Sequence, residues 1–297
     1  MADIVEKRST INHLNTTFEN PVVKKILIYS GLVIFAVIFT VPYFWMISTA
    51  LKTPQQILAL PIEWIPYPIS WQNAIEVWEL IDFPIVFKNS IIITASTTLG
   101  TLFACYTTAF GFARIDFKGR NLFFALVLAT MMLPPQVTYI PLYILLQKVG
   151  WINTFKPFWV PAVLGGGPQG GVYIFLLRQF LLGIPNDLED AACIDGCNRF
   201  GMYWRIFLPL CKPALMSVGI LSFIFNWNNY FAPLVFINSN NKMPVTLAIA
   251  MLKDQQGAQE YHLVMMGALM SVIPCILIFL LLQRYFVKGI ALTGIKG

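Results

Sequence analysis

The chain has 297 residues, 57% of them hydrophobic and only 11% charged, with a net charge of +6. Soluble domains hold roughly 45–50% apolar and about 25% charged residues, so most of this apolar surface is expected to face lipid or other membrane helices. A disordered chain, a disulfide scaffold and a water-soluble enzyme are excluded.

A bilayer core of about 30 Å takes about 20 mostly apolar residues per helix. Six segments meet that need: 26–50, 89–113, 122–146, 158–182, 214–236 and 263–283. They predict an all-α membrane protein. The first follows a polar leader, residues 1–25, and its apolar run is too long for a signal-peptide core, so it is expected to persist as a helix. In the third, Pro134, Pro135 and Pro141 predict a kink beside Gln136. In the fourth, the run from Gly165 to Gly171 predicts a break whose freed backbone groups must find partners in the protein. No Lys-Ser/Thr follows these glycines, so they form no phosphate loop. The fifth carries Asn226-Trp227-Asn228-Asn229-Tyr230.

Within the six segments the only Asp, Glu, Lys, Arg or His is Arg178. Ion-driven transporters and intramembrane proteases normally place such groups at depth, and no Walker A motif is present. No catalytic residue is therefore assigned. Cys105, Cys193, Cys197, Cys211 and Cys275 follow no zinc or disulfide spacing and read as small structural residues, so no metal site is assigned. What remains is a membrane body that conducts passively or is driven by another subunit.

With the N-terminus inside, fourteen Lys and Arg residues fall inside and six outside. The positive-inside rule then places both termini in the cytoplasm. The basic excess meets anionic lipid headgroups there and requires no nucleic-acid partner. Two outer segments are long, 51–88 and 237–262. Trp64, Trp71 and Trp78 in the first suit the membrane–water boundary, as a plain cover or as a docking surface.

The longest inner loop is 183–212. Pro185 ends the incoming helix, and Asn186 or Asp187 caps a new one. Glu189 and Asp190 suit its positive N-terminal end. Ala191 and Ala192 are small helix formers, and Gly196 is a natural stop. A second amphipathic stretch, Arg199 to Phe207, is expected to end at Pro209. A short helix with a small-residue face is shaped to enter a groove on a partner.

The order Asp190-Ala191-Ala192, Gly196, Ile206, Leu208-Pro209 resembles the EAA loop of binding-protein-dependent ABC importer permeases. Asp190 stands where that family has Glu, and Asp195 matches its carbohydrate-importing members. Residues 49–78, 226–234 and 283–297 resemble corresponding stretches of maltose-type permeases. The resemblance implies a type I importer permease fold in a bacterial or archaeal plasma membrane, the inner membrane in a Gram-negative cell. It implies a second homologous permease, two ATPase subunits and an external solute-binding protein that delivers a sugar or oligosaccharide. ATP and Mg would sit in the ATPase, with no cofactor in this chain. Coupling to the ATPase would fall on Glu189, Asp190, Ala191, Ala192, Asp195 and Gly196. Leu208 and Pro209 match the motif's end or simply turn the chain into the fifth segment.

For the substrate path, Gln136, Asn226, Trp227, Asn228 and Tyr230 offer hydrogen bonds and aromatic faces. The amides could equally join helices to one another. The outer loop, with a polar turn at Asn238–Asn241 and a tip at Gln255-Gln256-Gly257, either reaches the binding protein or is an ordinary connection. Two alternatives stay open: a permease of this kind for a non-sugar solute such as glycerol phosphate, and a stand-alone channel.

Overall fold

The computed structural model describes residues 21–252 and 260–294, with side chains as far as Gln283. Among these residues every regular element is helical. The main helices are α1 (Pro21–Ala50), α2 (Phe83–Arg114), α3 (Arg120–Thr130), α4 (Pro135–Lys148), α5 (Lys156–Gly165), α6 (Gly170–Leu182), α7 (Asp187–Ile194), α8 (Lys212–Trp227), α9 (Phe231–Phe236), α10 (Val245–Ala250) and α11 (Tyr261–Gly294). Four stretches are long and apolar enough to cross a membrane: α1, α2, α5 with α6, and α11 as far as Gln283. Two bent pairs raise the number to six if each is one span. They are α3 with α4, bent by 98°, and Arg199–Leu210 with α8, bent by 73°.

The bends follow from local chemistry. α3 ends at Thr130, and α4 restarts on Pro135, whose missing N–H costs nothing in a first turn. At the second bend Pro209 and Pro213 both fall in first turns. The second amphipathic stretch therefore does not end at Pro209. It runs through a π-helical turn, Met202–Phe207, and on to Leu210.

α2 is the central helix and packs on α5, α6 and α8. Its buried Ser90, Thr94, Thr97 and Thr101 recur every three or four residues and so share one face. At Gly100 the neighbour comes close: an added Cβ would lie 2.7 Å from Val163 Cγ2 in α5. The expected glycine break separates α5 from α6, with Gly166 at φ 78° and Gly167 at φ 68°. Two carbonyls flanking the break face side chains of α2. Thr101 Oγ1 donates to Gly166 O at 3.3 Å, and the Cys105 thiol to Gly170 O at 3.7 Å.

The stretch 214–236, expected as one helix, is two. α8 stops at Trp227 and α9 starts at Phe231. The side chains between them compete with the helix for backbone groups. Asn228 Nδ2 donates to Ile224 O, and Asn229 Oδ1 accepts from Ala232 N–H. Pro233 has no N–H with which to continue the ladder.

After α1, Asn73 Nδ2 donates to both Ala50 O and Lys52 O at 2.8 Å, folding the following segment back onto the end of that helix. The Asn238–Asn241 turn is tied down: Asn153 Nδ2 donates to Ser239 Oγ at 2.7 Å, and Asn89 Nδ2 to Asn241 O at 2.9 Å. The Gln255-Gln256-Gly257 tip, most of the 1–25 leader and the last three residues lie outside the described residues.

Candidate functional site

The 183–212 loop opens with α7. Asn186 takes the N-cap position, but its side chain caps nothing. Instead its Oδ1 accepts from Arg114 Nη1 at 2.7 Å. Backbone N–H groups of Glu189 and Asp190 bond to Asn186 O. The C-terminal end closes as a Schellman motif: Cys197 N–H bonds to Ala192 O at 2.9 Å and Gly196 N–H to Cys193 O at 3.0 Å. Gly196 sits at φ 75°, and a Cβ there would meet nothing within 4 Å. It is required for its backbone angle, not for space.

α7 has two faces. Ala192 is buried in the core beneath it, and Glu189 is half-buried. Asp190, Ala191, Ile194 and Asp195 are exposed, Ile194 at 86%. The exposed positions 187, 190, 191 and 194 form one ridge at helical spacing. Ile194 was absent from the residues picked out by sequence. An apolar side chain among Asp187, Asp190 and Asp195 was the available signal.

Glu189 faces inward between two arginines. Its carboxylate lies 3.6 Å from Arg114 Nη1 and is ion-paired to Arg199. Arg114 is the last residue of α2 and is 8% exposed. Its Nη2 donates to Ile184 O at 2.5 Å and also to Leu181 O. Arg199 in turn donates to Arg114 O at 3.3 Å. The π-helical turn packs on the same ridge of α2. Tyr106 Oη donates to Tyr203 O at 2.9 Å, Tyr203 Oη lies 2.8 Å from Thr107 Oγ1, and the Phe110 and Phe207 rings are 5.5 Å apart. None of these α2 residues stood out in the sequence, because their partners lie 72–97 positions away.

The five substrate-path candidates separate into two sets. Trp227 is 2% exposed, stacked on Phe223 at 5.6 Å, edge-on to Phe87, with Nε1–H donating to Ser271 O at 3.0 Å. Asn226 bonds back to Ser222 O at 2.8 Å. Beside them, Ser90, Thr94, Asn226, Trp227 and Asn229 border a cleft of about 10 Å³. That is about the space of one water, too little for a sugar ring. Gln136, Asn228 and Tyr230 are exposed. Gln136 lies one turn before Tyr139, whose ring packs on Phe231 at 5.2 Å, so α4 and the start of α9 meet there.

Residues 96–292 match the family described as binding-protein-dependent transport system inner membrane component. The chain belongs to this family. It is a multi-pass membrane protein and the permease part of a transport system. Relatives in the family include the arabinooligosaccharides transport system permease AraQ of Bacillus subtilis. It is 33% identical over 267 residues, covering 88% of this chain and 92% of that protein. The trehalose/maltose transport system permease MalG of Thermococcus litoralis is 32% identical over 279 residues, covering 93% and 98%. Among solved structures, a bacterial ABC transporter involved in alginate import superposes with a TM-score of 0.75 at 22% identity, over 89% of this chain and 96% of that one. The alginate transporter in complex with an alginate pentasaccharide-bound periplasmic protein gives 0.64 at 15% identity, over 88% and 94%. The fold is that of an ABC importer permease. The matched region begins in α2 and takes in the 183–212 loop, α8 and most of α11.

Proposed function

We propose that the chain is one of two permease subunits of an ATP-driven importer for a sugar or oligosaccharide. It works in a bacterial or archaeal plasma membrane with both termini in the cytoplasm. An external solute-binding protein delivers the solute, and two ATPase subunits, which hold ATP and Mg, sit beneath. The names of its relatives support the sugar class, and the family description supports the binding protein.

One observation carries the coupling role. α7 stands out from the core on a closed Schellman end, with Asp190, Ala191 and Ile194 facing away from the protein. We assign docking on the ATPase to Asp190, Ala191, Ile194 and Asp195. Glu189, Ala192 and Gly196 support that face from behind. ATP shifts the permease between states only through a differential contact with one of them, and this ridge is where that contact would be made. For the solute we favour Gln136, Asn228 and Tyr230, which are open, over Asn226, whose amide bonds back to Ser222 on its own helix, and Trp227, which ties α8 to α11.

The test is a mild-detergent pull-down of the chain from its native membrane, with every co-purifying protein identified by mass. A homologous permease and an ATPase at twice the amount of either permease is the expected outcome, and a binding protein captured alongside would identify the sugar. Recovery of the chain alone as a stable homo-oligomer would sink the importer reading in favour of a channel.

A further inference from the structure

Between the end of α6 at Leu182 and the start of α7 at Asp187 the chain has only four residues. A linker that short, carrying Gly183 and Pro185, would act as a hinge unless something filled it. Arg114 fills it. One terminal nitrogen of its guanidinium takes the carbonyls of Leu181 and Ile184, where α6 gives out. The other takes Asn186 Oδ1 and faces Glu189, in the first turn of α7. The carbonyls at a helix C-terminus carry partial negative charge and attract a cation. The planar fork of an arginine can serve both sides at once, which a lysine ammonium on a single point cannot. Cζ also sits 4.8 Å from the centre of the Phe207 ring, so the same side chain touches the π-helical turn.

Arg114 is the end of a row. Tyr106, Phe110 and Arg114 recur every four residues and form one ridge along the last turns of α2. Tyr203 and Phe207, also four apart, pack against that ridge. The loop is thus fastened to α2 at two places, by the aromatic rings and by the guanidinium.

We propose that Arg114 is a positioning residue that makes α7, α6 and the end of α2 one body, so that a push on α7 reaches the long central helix instead of bending the 183–186 linker. This rests on the coupling role proposed for α7, and two separate readouts distinguish them. The material is the whole transporter purified through this chain, with wild-type, Arg114→Met, Arg114→Lys and Asn186→Ala forms. The first readout is amide hydrogen exchange. Arg114→Met should speed exchange across 187–195 about tenfold while α6 stays within about twofold, since local opening is governed by local contacts. The second is ATP hydrolysis with and without the co-purified binding protein. The ratio of stimulated to basal rate should fall about fivefold, at the low end of typical coupling factors.

Arg114→Lys should recover part of both, because it keeps the charge and loses the fork. Unchanged exchange in 187–195 overturns the anchor. Faster exchange with an unchanged stimulation ratio keeps the anchor but removes coupling from α7, and so overturns the reading on which the proposal rests. If Arg114→Met does not assemble, Asn186→Ala keeps the charge and removes a single acceptor. It should still loosen 187–195, and no change there overturns the proposal.

Discussion

Ala191 and Ala192 are adjacent and identical in chemistry, yet the fold assigns them opposite tasks. Ala192 is 6% exposed within the core, whereas Ala191 is open. Ala192→Trp should overpack and cost about 1–3 kcal/mol of stability. Ala191→Trp should stay within about 0.5 kcal/mol of wild type, as exposed substitutions do, and still strip the ATPase from the purified complex. Thermal unfolding in detergent and the yield of co-purified ATPase measure the two effects separately. Gly196 gives a second contrast. Its φ of 75° meets open space, so Gly196→Ala should cost about 1–2 kcal/mol through backbone handedness alone. Asn, which tolerates this conformation, should cost less. Equal losses for Ala and Asn would mean that side-chain volume matters there after all.

At the scale of elements, the glycine break and the Trp-Asn segment show how irregular backbone is held inside an apolar fold. The carbonyls of Gly166 and Gly170 are answered from α2 by Thr101 and Cys105. A Cβ on Gly166 would collide with Cys105 Sγ and would also sit at positive φ. Gly166→Ala should therefore lower the thermal midpoint, by roughly 1–3 kcal/mol of stability. Cys105→Ala in the same chain should recover the clash with the thiol and leave both the positive-φ cost and the contact with Gly170 Cα at 2.9 Å, a partial non-additivity that a double-mutant cycle reads directly. Trp227 closes the joint between α8 and α11 through its bond to Ser271 O. Trp227→Phe should cost about 1 kcal/mol for the lost hydrogen bond and unfilled space, with solute affinity unchanged. A loss of solute affinity without loss of stability would return Trp227 to the substrate path.

For the whole molecule, the surface of α1 is the clearest feature. No part of its most apolar window is buried, and residues from Ile26 to Phe44 stay open along its length. Such a surface is stable only against lipid or other subunits. The orientation of the body is open to a cysteine test. Cys193 is exposed on α7, while Cys105 and Cys211 are buried. A membrane-impermeant maleimide should label Cys193 in inside-out vesicles and not in right-side-out ones. Labelling of Cys193 from the outside would reverse the orientation expected from the basic residues.

The apolar, helical character of the chain, the break at Pro134-Pro135, the glycine break and the short helix ended by Gly196 were legible in the sequence. Each depends on properties carried by a residue and its near neighbours: transfer to lipid, a missing N–H, a tolerated positive φ. The small-residue face was not legible, since Ala191 and Ala192 lie on different sides of α7. Nor was the choice of partner by each polar side chain. Asn186 looked like a cap and instead serves Arg114, 72 positions away. Trp227 looked like a ring for stacking sugar and instead lies in the core. In an apolar interior a polar group goes to whatever donor or acceptor the packed helices bring near, since leaving it unpaired costs several kcal/mol, about as much as a hydrogen bond in a dry medium. Which donors those are is decided by helices meeting across long stretches of chain, and only the tertiary structure contains that information.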